Sequence, residues 1–195
     1  TIPFGVDIKD YPVESTEVKK RPIFFHLGSM DWQPNDEGIR WLLEKVWPRV
    51  MKKHPNAKLK LAGNKMPDDL MMLNMPGVEI KGRVRNAQNF IRNGNVMLVP
   101  LFSAGGMRIK IIEGMALGKT IISTPIGAEG VEYTYGTDIL IAKNATEFVN
   151  HIGSLIENPE QGTHIGAAAR KLVSSTYDHE KIVSKLVQFY KTLMD

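Results

Sequence analysis

Cysteine is absent from this sequence of 195 residues. Without thiols the chain can form neither disulfides nor thiolate metal sites, and this residue usage suits a cytoplasmic protein. No apolar run approaches the roughly 20 residues that a membrane-spanning helix needs. The first residues also lack the charged and apolar regions of a signal peptide. These absences predict a cytoplasmic protein.

Runs of a single charge are missing as well. The net charge is only +4, and neither a lysine or arginine run nor an arginine–aromatic pattern is present. We therefore expect no nucleic-acid partner, whereas an anionic ligand or an anionic membrane surface suits this charge. The chain contains no Asp-x-Asp pair, and its five histidines show no i, i+4 spacing. We expect each histidine to be a surface or core residue, and we expect neither a metal ion nor another cofactor.

Short apolar runs alternate with segments of helical periodicity along the chain. With 43% hydrophobic residues the chain can bury one core, and two full domains would be a tight fit. The alternation predicts an α/β fold with a Rossmann-like, doubly wound parallel sheet and helices on both faces. The predicted strands are 23–27, 58–63, 78–82, 96–100, 120–123 and 139–142. The predicted helices are 35–50, 66–74, 87–92, 107–117, 145–157, 162–174 and one after Asp178.

A strand, a glycine loop and a helix follow one another in the middle of the chain. The apolar run 96–100 predicts a buried strand, and the small residues 103–106 predict a loop before a helix that starts near Met107. In such a unit, unpaired backbone N–H groups and the positive end of the helix dipole point beyond the carboxyl end of the strand. The sequence therefore predicts an anion site at Gly105, Gly106 and Met107.

Three charged residues stand at the start of this helix. In one interpretation Lys110 and Glu113 form a surface ion pair and Arg108 is solvated. In the other, the two cations neutralise a bound anion and the carboxylate accepts hydrogen bonds from the same ligand. Spacing alone leaves both interpretations open.

Two blocks of this region, 110–119 (KIIEGMALGK) and 123–130 (STPIGAEG), resemble the donor-site signature of family 4 glycosyltransferases. The resemblance covers essentially the whole chain from Ile2. It implies one half of a GT-B fold, in which two Rossmann-like domains enclose a cleft. It also implies retaining transfer of a sugar from a UDP-, GDP- or ADP-linked donor to a glycan, lipid or polysaccharide-precursor acceptor.

The resemblance assigns roles to the charged residues. Glu113 matches the second glutamate of the family's E-x7-E motif, which holds the nucleotide ribose. The first glutamate falls at Gly105 and is absent, as in a branch of the family with a glycine-rich loop followed by Arg-x-Lys. We therefore predict that Arg108 and Lys110 carry the diphosphate charge, and that they form the catalytic set with Glu113.

Other donor-binding residues are expected in the loops after the first three strands. The loop from Gly28 and Ser29 to Asn35 occupies the place where many family members carry diphosphate-binding cations, which are absent here. Trp32 in this loop either caps the edge of the core or stacks on a sugar. Asn35 is predicted to cap the following helix.

The next two loops complete the expected donor site. Gly63 ends the second strand. After the third strand, Arg83, Val84 and Arg85 occupy the loop that touches the nucleobase in the family, mainly through backbone groups near Val84. For Arg83 and Arg85, solvated loop charge is an equal alternative.

The resemblance also divides the chain. Residues 1–21 match the segment between the two GT-B domains, and residues 22–195 match the C-terminal nucleotide-sugar-binding domain with its final helix. The acceptor domain would lie before Thr1, so we expect the chain alone to transfer no sugar. Peripheral association of the full-length protein with the inner face of the membrane is compatible with the lipid-linked acceptors of the family.

Three alternatives stay open. A nucleotide-sugar 2-epimerase shares the same fold and cleft. A non-catalytic nucleotide-binding module would explain the missing glutamate at Gly105 and the missing cations near Ser29. A receiver-like signalling domain would need clustered acidic residues at strand ends, whereas His26 and Leu27 end the first strand.

Overall fold

One parallel sheet of six strands organises the protein. The computed structural model describes residues 3–13, 18 and 20–193. The strand order is β3-β2-β1-β4-β5-β6, and all neighbouring strands are parallel. The strands are β1 (Ile23–Leu27), β2 (Lys58–Ala62), β3 (Val78–Gly82), β4 (Val96–Val99), β5 (Thr120–Ser123) and β6 (Leu140–Ile141). The predicted α/β fold class is confirmed.

Helices cover both faces of this sheet. Alternate strand residues enter different cores: Phe25 and Ile121 pack into one core, Phe24 and Ile122 into the other. Because the strands are buried on both faces, their sequences are continuous apolar runs. The helices are α1 (Gln33–Trp41), α2 (Trp47–Lys53), α3 (Asp68–Met71), α4 (Ala87–Arg92), α5 (Ile109–Ala116), α6 (Ala145–Glu157), α7 (Pro159–Leu172) and α8 (His179–Thr192). A 3-10 turn, Ile8–Asp10, precedes β1.

The first helical segment differs from its prediction. Trp32, not Asn35, is the N-cap of α1, and Asn35 lies inside the helix. Pro34 explains the earlier start, because proline is tolerated in the first turn of a helix, where its missing N–H needs no partner. A π-helical turn, Leu42–Val46, joins α1 to α2. Pro48 in the first turn of α2 accounts for this break, since proline cannot continue a regular α-helical ladder.

The last three helices also refine the prediction. Asn158 ends α6 and caps α7, where its side chain accepts a hydrogen bond from the N–H of Gln161. The helix predicted to begin at Gly162 therefore begins at Pro159. A second π-helical turn, Val173–Tyr177, leads to α8. Asp178 is the N-cap of α8 by position, but its side chain makes no capping hydrogen bond.

The apolar side chains of α8 are mostly exposed. Ile182 is buried, whereas Phe189 is 56% exposed and Leu193 is 66% exposed.

The segment before β1 packs against this domain. Val6 pairs with the turn before α8, because its N–H donates to Tyr177 O and its carbonyl accepts from the N–H of His179. Tyr11 is buried in the same core as β4 and α5. Of the segment 1–21, the residues 1–2, 14–17 and 19 lie outside the described residues. The part that is described is thus a packed part of the fold.

The strand order reverses at β1. From β1 the chain first builds outward through β2 to β3, and it then returns to place β4 on the other side of β1. The connections that leave the carboxyl ends of β1 and β4 therefore diverge and open a crevice. In doubly wound sheets, ligands bind at this position.

The contact of α1 with the end of β4 generates a stability prediction. A Cβ atom at Gly38 would lie 2.1 Å from the carbonyl oxygen of Pro100. We expect Gly38→Ala to lower the free energy of unfolding by about 1–3 kcal/mol, although alanine has the higher helix propensity. Urea denaturation measures this change. Gly162→Ala is the control, because a Cβ there meets no atom closer than 3.4 Å. The control should keep or gain stability, and equal behaviour of both variants would contradict the prediction.

Candidate functional site

A cavity of about 320 Å³ lies at the reversal of strand order. The ends of β1 and β4 form its floor, and the start of α5 and the loop before α1 form its walls. Most of the atoms around it are apolar, but three of its residues carry titratable or cationic groups: His26, Arg108 and Lys110. The predicted strand, glycine loop and helix thus lie at the crevice of the sheet.

Arg108 is the most constrained cation of this cavity. It is the N-cap of α5, and its guanidinium carbon lies 5.3 Å from the ring centre of Trp32. Its Nε and Nη2 atoms are buried and have no hydrogen-bond partner among the described residues. Burying cationic N–H groups without an acceptor is costly, because the desolvation of these groups is not offset by pairing. The guanidinium is thus stacked near Trp32, and two of its buried nitrogen atoms have no partner among the described residues.

Lys110 and Glu113 do not form the surface ion pair of the first interpretation. No salt bridge joins them in the described part of the chain, and Glu113 instead accepts a hydrogen bond of 3.1 Å from the hydroxyl of Tyr11. Desolvation lowers the pKa of Lys110, and the charge of Glu113 acts in the opposite direction. Lys110 reaches solvent at the mouth of the cavity. Both cations thus stand at the N-terminus of one helix, next to its positive dipole end.

The glycine loop before α5 is open. Gly106 has a φ of +79°, and a Cβ at Gly105 or Gly106 would meet no atom within 4 Å. Met107 is half-buried and lines the cavity. It packs beside Gly130, where a Cβ would lie 3.3 Å from its Cα. The end of the second block, 123–130, therefore packs against the residue that follows this loop.

The glycines after β1 and β2 have a different role. A Cβ at Gly63 would lie 1.6 Å from the carbonyl oxygen of Gly28, and one at Gly28 would lie 2.6 Å from the Asn35 amide. Both glycines therefore allow close packing between loops. Ser29 is held by the same contacts, because its carbonyl accepts from the Asn35 amide and its hydroxyl donates to Asp31. These residues form the support of the site beside the cavity.

The loop after β3 contributes residues at the neighbouring edge. Arg83 and Arg85 are exposed and form no salt bridge with any described residue. Val84 is half-buried against the core that contains α5 and Tyr11. This loop is thus anchored by Val84, and its two arginine side chains are exposed to solvent outside the lining of the cavity.

His26 is a site residue that the sequence did not reveal. It is 3% exposed, and its Nδ1 lies 2.8 Å from the carbonyl oxygen of Leu98. Since a carbonyl only accepts, Nδ1 carries the proton and Nε2 has a free lone pair, for which no partner is present among the described residues. Burial lowers the pKa of His26 to about 4, and Lys110 adds to this effect. The sequence signal that could have identified His26 is the presence of a polar residue within an otherwise apolar strand.

The described residues contain no group of three or more His, Cys, Asp or Glu side chains that could hold a metal ion. None of their helices is long and apolar enough to cross a membrane.

Comparison with known families and proteins gives consistent matches. A family model described as "Glycosyl transferases group 1" matches residues 21–158. A Klebsiella pneumoniae protein described as an uncharacterized 44.6 kDa protein in the cps region is 27% identical over 176 residues. An uncharacterized glycosyltransferase of Haemophilus influenzae is 25% identical over 158 residues. The matches cover 82% and 76% of this chain but 44% of each relative. The chain therefore spans less than half the length of these relatives.

Solved structures share the fold at low sequence identity. The crystal structure of TarM has a TM-score of 0.76 at 18% identity, over 91% of this chain and 36% of TarM. HepE of Anabaena, crystallised with UDP and glucose, has a TM-score of 0.69 at 16% identity, over 98% of this chain and 55% of HepE. At this identity the likeness shows the fold alone.

Buried His26 makes the stability of the protein depend on pH. Its folded pKa of about 4 lies below the ordinary 6.5. As the pH falls, this histidine therefore binds a proton in the unfolded chain before it does so in the folded chain. The free energy of unfolding then decreases as the pH falls from about 6.5 toward 4. The loss from this residue is at most about 3 kcal/mol. We expect His26→Gln, which cannot be protonated, to show a smaller fall in unfolding free energy between pH 7 and pH 4.5.

Urea denaturation at both pH values measures this difference. His164→Gln is the control, because His164 is exposed, and it should keep the pH dependence of the parent chain. An unchanged pH dependence in His26→Gln would contradict the assignment.

Proposed function

The chain belongs to the glycosyl transferases group 1 family, and from this premise we propose that it is the nucleotide-sugar-binding half of a retaining, family 4 glycosyltransferase of GT-B type. One observation carries the proposal. Arg108 presents buried N–H groups, which pair with no residue that the structure describes, at the start of α5, where the order of the parallel sheet reverses. A diphosphate supplies the anion that this position lacks.

The diphosphate binds to fixed positive charge. Arg108 and Lys110 neutralise its oxygens, and the backbone N–H groups of Gly105, Gly106 and Met107 donate to the phosphates or to the sugar. As the glycosidic bond breaks, negative charge grows on the leaving diphosphate, and cations already in place stabilise it without rearrangement. Transfer is then independent of a metal ion.

The nucleoside occupies the side of the site next to β3. Glu113 accepts hydrogen bonds from the ribose hydroxyls, a role that suits a carboxylate facing a vicinal diol. The loop of Arg83, Val84 and Arg85 contacts the base. Gly28, Ser29 and Gly63 support the donor from the loops after β1 and β2, where their close packing fixes the backbone.

The acceptor belongs to the remainder of the full-length protein. The chain covers 44% of each of two curated relatives, which leaves room in such proteins for a second domain. That domain would bind a glycan, lipid or polysaccharide-precursor acceptor, whose hydroxyl attacks from the side of the leaving group. The relative in a cps region fits a polysaccharide role. We place the reaction in the cytoplasm, at the inner face of the membrane where the acceptor is lipid-linked.

A non-catalytic nucleotide-binding module is the second candidate. Open space at Gly105, where the family places a glutamate, favours it. The Ser29 hydroxyl donates a hydrogen bond to Asp31, which also pairs with Lys65. This local pairing of Ser29 also favours the non-catalytic module. Loss of nucleotide binding that leaves the transferase activity of the full-length protein intact would identify this case.

Nucleotide titration tests the donor site. We expect the chain to bind one of UDP, GDP or ADP, or its sugar conjugate, with saturation in calorimetry. Arg108→Ala/Lys110→Ala should weaken that affinity at least about 100-fold, because two charge-assisted contacts are lost.

The control removes the same charge elsewhere. Lys52 and Lys53 lie at the end of α2, away from the cavity. Lys52→Ala/Lys53→Ala should therefore bind as the parent chain does. Equal weakening in both double variants, or no saturable binding by the parent chain, would contradict the donor site.

Sugar transfer by the chain alone is a separate test. Because the acceptor groups are proposed to lie in another domain, we expect hydrolysis or transfer from the bound nucleotide-sugar to stay at background in a product assay. Robust transfer to added glycan acceptors by these 195 residues would overturn this division of roles.

A further inference from the structure

Tyr11 joins the segment before β1 to the proposed ribose-binding carboxylate. Its hydroxyl donates to Oε1 of Glu113 at 3.1 Å, across a separation of 102 positions in the chain. Tyr11 is only 8% exposed, so its ring is fixed by packing in the core that also holds Val84 and α5. The hydroxyl also has a hydrogen bond with Gln88, which follows the Arg83–Arg85 loop. The phenol therefore lies between the proposed base and ribose contacts.

The backbone of Tyr11 is tied to the same helix. Arg170 donates through Nη1 to the carbonyl oxygen of Tyr11 at 2.6 Å, and through the same atom to the carbonyl oxygen of Ala116. Ala116 is the last residue of α5. One contact thus fixes Tyr11 to the C-terminal end of α5, and the hydroxyl fixes it to Glu113 in the middle of that helix. Tyr11 cannot move relative to α5 without breaking one of them.

This arrangement limits the conformations of Glu113. A glutamate side chain loses rotational freedom when it binds a ligand, and that loss weakens binding. The Tyr11 hydroxyl occupies one lone pair of Oε1 and leaves Oε2 and the other Oε1 lone pair available. Those are enough acceptors for two vicinal hydroxyls. The carboxylate is therefore oriented before the nucleotide arrives.

We propose that Tyr11 is a positioning residue of the donor site, which holds Glu113 in the rotamer that binds the two ribose hydroxyls. The inference rests on the proposed function, because it assumes that Glu113 contacts the ribose. Tyr11 acts through Glu113 and touches no reacting atom. Its effect should therefore appear only with ligands that carry both hydroxyls.

The test compares ribose and dideoxyribose ligands. The 195-residue chain and its Tyr11→Phe variant are titrated calorimetrically with the nucleoside diphosphate that the parent chain binds and with its 2′,3′-dideoxy analogue. Tyr11→Phe keeps the ring and removes only the hydroxyl. We expect it to weaken binding of the ribose ligand about fivefold to tenfold, as for loss of one hydrogen bond of ordinary strength, and to leave the dideoxy affinity unchanged.

A double-mutant cycle and a matched tyrosine complete the design. In a Glu113→Ala background, Tyr11→Phe should cause no further loss, because its target is gone. Tyr177→Phe is the control, since this buried tyrosine accepts a hydrogen bond from the backbone of Glu132 in the same core. It should bind both ligands as the parent chain does, even with a lower midpoint of thermal unfolding.

The outcomes separate the inference from the proposed function. Selective loss of the ribose ligand in Tyr11→Phe supports the inference. If the parent chain binds a nucleotide through Arg108 and Lys110, but Tyr11→Phe is unchanged or loses both ligands equally, only the inference is overturned. If the parent chain binds no nucleotide, the proposed function and the inference are both overturned.

Discussion

The reversal of strand order between β1 and β4 is the constraint on which the site depends. It forces the connections at the carboxyl ends of these strands apart, and the cavity lies in the gap. Parallel strands also bring every following loop to the same edge of the sheet. Residues as far apart in sequence as Trp32 and Arg108 therefore become neighbours. Close packing of Gly38 on Pro100 and of Gly63 on Gly28 holds the loops around this gap.

The charged and neutral side chains around this gap determine which kind of ligand suits it. Arg108 is held over Trp32 with N–H groups that no described residue accepts, and Lys110 lies two residues further along, in the first turn of the same helix. Below them His26 is neutral, because burial and the nearby lysine both disfavour its protonation. The site thus places its positive charge at the mouth of the cavity and keeps its floor uncharged. This distribution of charge is consistent with the proposed binding of an anionic donor at the mouth.

Local patterns predicted the fold and the strand, loop and helix at the crevice, because both follow from short stretches of sequence. The strands are continuous apolar runs, and the unit of β4, glycine loop and α5 lies where the residues from 96 to 116 predicted it. Asn35 was assigned the wrong role because two local signals competed, and Pro34 set the helix start. The contacts of His26 with Leu98 and of Tyr11 with Glu113 join distant residues, so composition and periodicity could not reveal them. Only the resemblance to the family identified Gly105 as the position where a glutamate is missing.

Placing Lys110 and Glu113 on one helix fixes their separation. Three residues of α-helix correspond to an axial distance of about 4.5 Å, and a helix does not stretch. The backbone positions that carry the proposed contacts to phosphate and to ribose therefore keep a constant spacing even when α5 moves as a unit. A ligand must match that length to use both contacts at once. A free phosphate has no ribose for Glu113, and a free nucleoside has no phosphate for Lys110. Each would therefore make only one of the two proposed contacts.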